Sequence, residues 1–415
     1  MIMSRSIYRT INTDGFPEDL EISFGSGSER QTLCYRKVTW DVAGERQGLR
    51  YGENPDQQAA LYRPVNGNLL LGQVHQIAPG RGLASEVDLL QSGKHPGKIN
   101  ITDVDAALNI LRYFTDRPAC VIVKHNNPSG VALGSSLAEA YQRALMADRI
   151  AAFGGAVALN GEVDRETAQA IASYYAEVVV APEFSAGALE VFATKKNLRV
   201  LRVGNMARLQ EYVGTRFVDF KSLIDGGLVA QWSFVPKLLP DEELLPARAE
   251  HQGRSYGIER EPTQAERRDM RFGWLVESGV TSNSVIYVKD EATVAIGTGE
   301  QDRVGVARIA REKAFWKLAD RLCLEATGKG IEELGSPEEQ EPFHQAARKE
   351  RGGLPGSTMI SDAFFPFRDG AEVGLREGVS AILQPGGALR DHEVIEACNH
   401  FGATMVFTGQ RSFRH

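Results

Sequence analysis

The chain has 415 residues, of which 42% are hydrophobic and 24% are charged, and its formal net charge is −7. Such a length and composition are typical of a globular protein of two or three domains. The acidic balance, without a long basic run, argues against nucleic acid as a partner. No apolar run is long enough for a membrane-spanning helix. The start, MIMSRSIYRT, lacks the apolar core of a secretory signal, so a cytoplasmic location is expected.

The four cysteines, at positions 34, 120, 323 and 398, form no Cys-x-x-Cys pair. They therefore indicate neither a disulfide framework nor a paired zinc site. Cys120 and Cys398 lie inside apolar patterns that favour burial. Cys398 and His400 are too few to hold a metal ion, since no further ligand pair lies nearby. We expect no metal and a reducing compartment.

Residues 1–49 are polar and include a Gly/Ser patch at 24–30, which predicts an irregular N-terminal segment. From residue 50 onward, apolar runs alternate with helical patterns. Strands are predicted at 119–124, 155–159, 178–180 and 198–203, and helices at 165–176 and 186–197. This alternation predicts an α/β layered architecture.

The segment 238–268 is rich in Glu and Arg and contains three prolines, which predicts a polar connection between a lobe at 50–237 and a second lobe at 269–415. The two lobes share patterns. VIVKHNNPSGVALG in the first parallels VIYVKDEATVAIGTG in the second, and VVVAP parallels AILQP. A charged insert at about 325–356 accounts for the different spacing in the second lobe. We infer an internal duplication with one insertion, so a cleft between lobes or between subunits is a natural binding site.

The strand at 119–124 ends on a lysine next to a histidine, Lys124 and His125, and the turn NNPSG follows. A lysine supplies a compact cation, and a histidine supplies a base that titrates near neutral pH. Neighbouring positions of a strand face opposite sides, but the turn allows both side chains to reach one pocket. The alternative is a surface lysine beside a hydrogen-bonded histidine, and this stretch alone favours that alternative.

Three further stretches carry candidate binding groups, each with a purely structural alternative. LRYGENPDQ supplies Arg50, which can bind a phosphate with two parallel hydrogen bonds, or forms a solvated turn. IAAFGGAVALN places Phe153 before glycines that allow a ligand close to the backbone, or forms a bulge beside a buried aromatic ring. SDAFFPFRDG ends in Asp369, which can bind the N–H groups of a flat heterocycle, or forms a core loop capped by an ion pair.

Taken in order, RYGENP, VKHNNPSG, AFGG, SNSV, SDAFFPFRDG, QPGG and the ending RSFRH resemble the formyltransferase part of the family that joins AICAR transformylase to IMP cyclohydrolase. The resemblance covers about residues 49–415. It implies transfer of a formyl group from 10-formyltetrahydrofolate to the 5-amino group of AICAR, giving FAICAR, in purine biosynthesis. It also implies two duplicated α/β lobes of cytidine-deaminase-like topology, no metal, and a homodimer with active sites at the subunit interface.

The same resemblance implies roles for individual residues. His125 is the expected base for the attacking amine, Lys124 the expected acid, and Asn283 the expected contact of the formyl group. The acid and base assignments remain open to exchange. AICAR contacts are implied for Arg50, Tyr51, Gly154, Glu177, Arg303, Phe364 and Arg411. Folate contacts are implied for Ile150, Phe153, Pro366 and Asp369.

Two departures from the family bear on function. The cyclohydrolase domain does not precede the matching region, so we expect no IMP cyclohydrolase activity and a separate protein for ring closure. NPDQ carries Asp56 where the family has a histidine, and a carboxylate near a phosphate repels it unless a cation intervenes. One competing hypothesis is a non-catalytic AICAR-binding paralogue. A second is a zinc deaminase of the same fold, which the missing His-x-Glu and Cys-x-x-Cys signature disfavours.

Overall fold

The computed structural model describes residues 15–75, 78–237 and 244–415. Within these residues the chain divides into two compact units. Unit 1 comprises residues up to Asn126, Ser136–Ala138 and Phe153–Val235; unit 2 comprises Asn127–Ser135, Glu139–Ala152 and Pro236–His415. The units differ from the predicted lobes chiefly because 127–135 and 139–152 pack with the later part of the chain. Part of the predicted polar connection, 238–243, lies outside the described residues.

The N-terminal region is built from short strands. They are β1 (Asp19–Phe24), β2 (Gln31–Lys37), β3 (Trp40–Val42), β4 (Glu45–Gln47), β5 (Tyr62–Gly67), β6 (Leu70–Leu71) and β7 (Val74–His75). β1, β2 and β5 form an antiparallel sheet. The prediction of an irregular segment is therefore wrong for residues 15–49. These strands bury few side chains, around Leu33, Leu69 and Val74, so their composition looks like that of a loop.

The next elements in chain order contain the predicted alternation of strands and helices. They are β8 (Asp88–Gln91), α1 (Lys98–Leu111), β9 (Ala119–Lys124), β10 (Asn127–Leu133), α2 (Leu137–Ala147), α3 (Arg149–Ala152), β11 (Ala156–Leu159), α4 (Arg165–Ala172), β12 (Val178–Ala181), α5 (Ala186–Ala193) and β13 (Arg199–Arg202). A separate antiparallel hairpin follows, made of β14 (Val218–Ser222) and β15 (Leu228–Trp232). α4 and α5 each end four residues before the predicted limit, and the predicted α/β class is confirmed.

The remaining elements belong to unit 2. They are β16 (Leu245–Pro246), β17 (Arg248–His251), β18 (Arg254–Gly257), α6 (Gln264–Glu277), β19 (Val285–Lys289), β20 (Ala292–Gly297), α7 (Arg303–Thr327), α8 (Pro337–Lys349), β21 (Thr358–Ser361), α9 (Arg368–Leu375), β22 (Ala381–Gln384), α10 (Asp391–His400) and β23 (Thr404–Phe407). None of the helices in the described ranges combines the length and apolar character that a membrane crossing needs.

Each unit contains a series of hydrogen-bonded strands. In unit 1 the strand order is β9-β11-β12-β13-β8, with β11, β12 and β13 parallel, β9 antiparallel to β11 and β8 antiparallel to β13. In unit 2 the order is β16-β23-β22-β21-β19-β20-β10, with β21, β22 and β23 parallel. The parallel strands are almost wholly buried and most of their residues are apolar, as is typical of parallel strands. Cys120 and Cys398 are buried, as predicted.

The two series of elements repeat one order. Apart from the short helix α3, the series α1-β9-β10-α2-β11-α4-β12-α5-β13 corresponds to α6-β19-β20-α7-β21-α9-β22-α10-β23, with α8 left out of the second series. The insertion lies where the charged segment was predicted, because α7 has 25 residues against 11 in α2 and α8 follows it. The internal duplication predicted from the sequence is therefore confirmed.

Candidate active site

One edge of the unit 1 sheet gathers much of the predicted site. β9 runs antiparallel to β11, so the end of β9 lies beside the starts of the parallel strands β11, β12 and β13. Lys124 and His125 follow β9, Gly154 lies just before β11, and Glu177 immediately precedes β12. The sequence predicted a site at the carboxyl end of a strand. That holds for β9, whereas the parallel strands contribute their amino ends.

A tight turn positions the two central residues. After β9, His125 and Asn126 have φ values of 55° and 62°, which is the left-handed conformation found at both central positions of a type I′ turn. The buried carboxylate of Asp103, on α1, accepts a hydrogen bond from the Asn126 backbone N–H at 2.7 Å. It also bonds the backbone N–H of His125. Packing of α1 against β9 therefore fixes the direction in which Lys124 and His125 leave the strand.

The turn opens onto a cavity of about 520 Å³, which we call the unit 1 cavity. Lys124 and His125 both line it, as the sequence predicted. The Lys124 ammonium donates a hydrogen bond to the Phe153 carbonyl oxygen at 2.7 Å. The cavity is lined chiefly by Arg50, Tyr51, Lys94, Asn100, Asp103, Lys124, His125, Gly154, Tyr175, Glu177, Asn197 and Arg199.

An exposed aromatic side chain lies beside this cavity. Phe153 is 52% exposed, and its ring lies 4.8 Å from that of Tyr175 and 5.8 Å from that of Tyr174 between centroids. Its backbone carbonyl is the acceptor for Lys124. The ring is therefore available to pack against a flat ligand while its main chain orients the lysine.

The unit 1 cavity carries an excess of positive charge. Arg50 and Arg199 are only 7% and 8% exposed, and Lys94 and Lys124 add two further cations. The carboxylates that line the cavity are Asp103 and Glu177. Burial lowers the pKa of the Arg199 guanidinium, and Arg50 acts in the same direction, while Glu177 opposes the shift. Such a concentration of cations, of which the two arginines are buried, favours an anionic ligand.

The sequence analysis missed several residues of this cavity. Arg199 is the second residue of the apolar run LRVLRV, where an arginine within an apolar strand pattern was an available signal. Asn100, in the first turn of α1, donates a hydrogen bond to Glu177 Oε2 at 3.3 Å. Asp103 lies one turn further along the same helix. The packing of α1 near the end of β9 and the start of β12 brings together residues that are distant in sequence, so local sequence patterns do not predict it.

Asn283 and Arg303 form a second group, in unit 2. Arg303 donates a hydrogen bond to Asn283 Oδ1 at 2.8 Å. Asn283 Nδ2 donates to the backbone carbonyls of Glu300 and Gln301 at 3.0 and 3.1 Å. Arg303 also bonds the carboxylate of Asp362, which is wholly buried. These contacts fix the orientation of the Asn283 amide.

A buried carboxyl group, that of Glu277, is linked to this network through Ser284. Glu277 is 0% exposed, and its Oε1 accepts a hydrogen bond from Ser284 Oγ at 2.8 Å. Its Oε2 has no hydrogen-bond partner among the described residues. Burial raises the pKa of Glu277 well above its usual range, and Asp362 acts in the same direction. Burial therefore favours the neutral form of the Glu277 carboxyl group.

The other predicted residues of unit 2 do not all line one cavity. Phe364 and Arg411 line a cavity of about 420 Å³ at the carboxyl ends of the parallel strands. Asp369 lies in the first turn of α9, where its Oδ1 accepts a hydrogen bond from the Gly370 N–H at 2.8 Å. Pro366 and Ile150, the latter on α3, are half-buried and line neither this cavity nor the unit 1 cavity.

Two sequence features bear on the competing hypotheses. Asp56 is exposed and is not among the residues that line the unit 1 cavity. Across the described ranges, no three His, Cys, Asp or Glu side chains come together in a way that would hold a metal ion.

Comparison with known proteins gives consistent matches. A family model described as "AICARFT/IMPCHase bienzyme" matches residues 21–313. The bifunctional purine biosynthesis protein PurH of Magnetococcus marinus is 39% identical over 394 residues, which cover 94% of this chain and 62% of that protein. PurH of Ruegeria pomeroyi is 39% identical over 377 residues, covering 90% and 60% respectively. The chain thus spans only part of the length of these relatives.

Proposed function

We propose, because the chain belongs to the AICARFT/IMPCHase bienzyme family, that it transfers a formyl group from 10-formyltetrahydrofolate to the 5-amino group of AICAR. The products are FAICAR and tetrahydrofolate, and the reaction belongs to purine biosynthesis. The observation that carries this proposal is the pair Lys124 and His125 on one tight turn at a strongly cationic cavity.

The chemistry explains why such a pair is needed. The AICAR amine is a weak nucleophile because its lone pair is delocalised into the imidazole ring and the carboxamide. A positioned base and close orientation of the two substrates therefore lower the barrier. His125 takes the amine proton as the amine nitrogen bonds to the formyl carbon.

The tetrahedral intermediate then collapses. Its bond between carbon and folate N10 breaks, and N10 takes a proton from Lys124. The ammonium of Lys124, oriented by the Phe153 carbonyl, and the amide of Asn283 stabilise the negative oxygen of the intermediate. Asn283 must exchange a backbone hydrogen bond for this contact, since both amide hydrogens are bonded to carbonyls in the structure.

The substrate contacts follow from charge and shape. Arg50, Tyr51 and Arg411 are proposed to bind the AICAR phosphate, Glu177 its ribose, and Gly154, Arg303 and Phe364 its base. The folate is proposed to contact Ile150, Phe153, Pro366 and Asp369. The exposed aromatic rings of Phe153 and Phe364 suit flat heterocycles. No metal is proposed to take part.

The proposed assembly is a cytoplasmic homodimer with active sites at the subunit interface. Ring closure to IMP is assigned to a separate cyclohydrolase. The competing function is a non-catalytic paralogue that binds AICAR, for which Asp56 in NPDQ is the supporting feature.

An assay of separated products tests the proposal. Purified protein is mixed with AICAR and 10-formyltetrahydrofolate, and tetrahydrofolate, FAICAR and IMP are quantified separately. We expect FAICAR and tetrahydrofolate in equal amounts and no IMP. AICAR binding without tetrahydrofolate release would favour the paralogue, and IMP formation would contradict the absence of cyclohydrolase activity.

A further inference from the structure

A second buried arginine in the unit 1 cavity has no role in the proposed chemistry so far. Arg199 is the first residue of β13 and is 8% exposed. Its Nε donates a hydrogen bond to the Lys94 carbonyl oxygen at 3.1 Å. Its Nη1 lies 3.8 Å from Glu177 Oε2. This contact is an ion pair, but it is too long for a hydrogen bond. The end of the guanidinium therefore lines the cavity with its counter-charge 3.8 Å away.

One short loop holds Arg199 and Arg50 together. The Arg50 N–H donates to the Pro96 carbonyl at 3.0 Å, and Arg199 Nε donates to the Lys94 carbonyl at 3.1 Å. Between these two acceptors lies His95, which is 6% exposed and whose Nε2 has no hydrogen-bond partner among the described residues. The loop at 94–96 thus binds the backbone of Arg50 and the guanidinium of Arg199.

Charge balance indicates what this arrangement binds. Two buried guanidinium ions near each other are costly unless an anion neutralises them. Glu177 supplies one carboxylate, which is also bonded by Asn100 at 3.3 Å, and Asp103 is already bonded to the turn at 125–126, while Lys94 and Lys124 add positive charge. A phosphate monoester carries close to two negative charges at neutral pH and accepts the parallel hydrogen bonds that guanidinium groups donate.

We propose that Arg199 is a further substrate-binding residue, which together with Arg50 forms a paired-arginine cradle for the phosphate monoester of the substrate. The identity of that substrate as AICAR rests on the proposed function; the cradle itself requires only a phosphorylated ligand. Glu177 acts as the resident counter-charge that keeps Arg199 in place before the ligand arrives.

The same strand provides a matched control. Arg202, three residues along β13, is ion-paired with Asp88 at 2.9 Å and with Glu183 at 3.4 Å, and its side chain is 38% exposed. It does not line the unit 1 cavity. Arg199→Met and Arg202→Met thus remove the same group from one strand, and only the first removes it from the cradle.

Calorimetric titration of both variants and the wild type tests the proposal with three probes: AICAR, its nucleoside without the phosphate, and ribose 5-phosphate. We expect Arg199→Met to weaken the two phosphorylated probes by about 10- to 150-fold, the loss expected for a hydrogen bond to a charged group. The nucleoside should bind all three proteins alike, and Arg202→Met should match the wild type. Arg199→Lys, which retains the charge without the planar fork, should give an intermediate loss.

The outcomes separate the cradle from the proposed function. Unchanged binding of the phosphorylated probes to Arg199→Met, or equal weakening of AICAR and its nucleoside, would overturn the cradle. Should Arg199→Met fail to fold, Arg199→Lys decides, and wild-type affinity for ribose 5-phosphate in that variant would overturn it. Arg199-dependent binding of ribose 5-phosphate without formyl transfer would support the cradle while the proposed function fails.

Discussion

The two units repeat one order of elements, but their candidate polar residues lie at opposite ends of the equivalent strands. In unit 1 the candidate residues lie at the end of β9 and at the starts of the parallel strands β11, β12 and β13. In unit 2, Asn283 precedes β19, Asp362 follows β21, and Arg411 lies beyond the end of β23. The second set therefore lies at the start of its antiparallel strand and at the ends of its parallel strands. The two units therefore share their order of elements, but their candidate residues lie at opposite ends of the equivalent strands.

The turn after the first strand makes the comparison sharper. Asp290 and Glu291 have φ values of 53° and 56°, close to those of His125 and Asn126. The buried carboxylate of Asp269, on α6, accepts hydrogen bonds from both N–H groups, at 3.1 and 2.7 Å. Asp103 does the same on α1. Burial raises the pKa of both aspartates.

Even the lysine contact is duplicated. Lys289 donates a hydrogen bond to the Pro355 carbonyl at 3.0 Å, as Lys124 does to the Phe153 carbonyl at 2.7 Å. The turn, its carboxylate and the bonded lysine are therefore properties of the repeated fold. What distinguishes unit 1 is His125 in place of Asp290, together with the buried arginines beside it.

The largest contrast is expected from matched lysine variants. Lys124→Met should lower formyl transfer by about 100-fold or more, because it removes the proposed acid. Lys289→Met removes an equivalent hydrogen bond and should leave transfer unchanged. Initial-rate kinetics and urea unfolding of both variants provide the measurement. Equal activities would mean that Lys124 serves the fold alone.

Matched aspartate variants should separate stability from activity. Asp103→Ala and Asp269→Ala each remove the buried carboxylate that accepts two backbone hydrogen bonds from its turn, so each should lower the free energy of unfolding by about 1–3 kcal/mol. Formyl transfer by the folded protein should fall only in Asp103→Ala, by about tenfold, because the loss of turn geometry there displaces a reacting group. A comparable loss of transfer in Asp269→Ala would remove the distinction between the two turns.

Glu277 in unit 2 gives a pH-dependent prediction. Since its pKa is raised in the fold, the unfolded chain releases its proton first, and stability falls as pH rises above the unfolded pKa of about 4.3. Glu277→Gln removes this dependence, so it should match the wild type near pH 4 and exceed it at pH 7. Denaturant unfolding at both values measures the difference. Lower stability of the variant at pH 7 would show that the buried carboxyl is ionised.

His95 in unit 1 gives a smaller effect of opposite sign. Burial lowers its pKa, and Arg50 and Arg199 act in the same direction. The unfolded chain therefore binds the proton first, and stability falls as pH decreases below the unfolded pKa of about 6.5. His95→Gln should retain more of its stability between pH 7 and pH 5.5. Identical slopes for the two proteins would contradict a lowered pKa of His95 in the folded protein.

Local pattern predicted the central part of the fold well. The strand predicted at 119–124 is β9, and the duplication with its insertion follows from repeated motifs that are short but lie in one order. The N-terminal strands were not predicted, because small sheets with few buried residues have the composition of loops. Their pairing depends on partners distant in sequence.

The candidate site was predicted in part. Lys124 and His125 were noticed because a polar pair at the end of an apolar strand is locally visible, but only the family resemblance gave them catalytic roles. Arg199, Asn100 and Asp103 were missed because their relevance depends on strand register and on the approach of α1 to the sheet edge. The roles of Asn283 and the folate contacts came from family resemblance, since neither spacing nor composition assigns them.

Single-turnover formyl transfer by His125→Asn and Asp290→Asn is the most direct test of the proposed mechanism. Asparagine tolerates the left-handed backbone at both positions, so each variant keeps its turn. We predict that His125→Asn loses about 10²- to 10⁴-fold in the chemical step, the range for removal of a general base, while Asp290→Asn reacts at the wild-type rate. A near-normal rate in folded His125→Asn would show that the unit 1 turn does not supply the base.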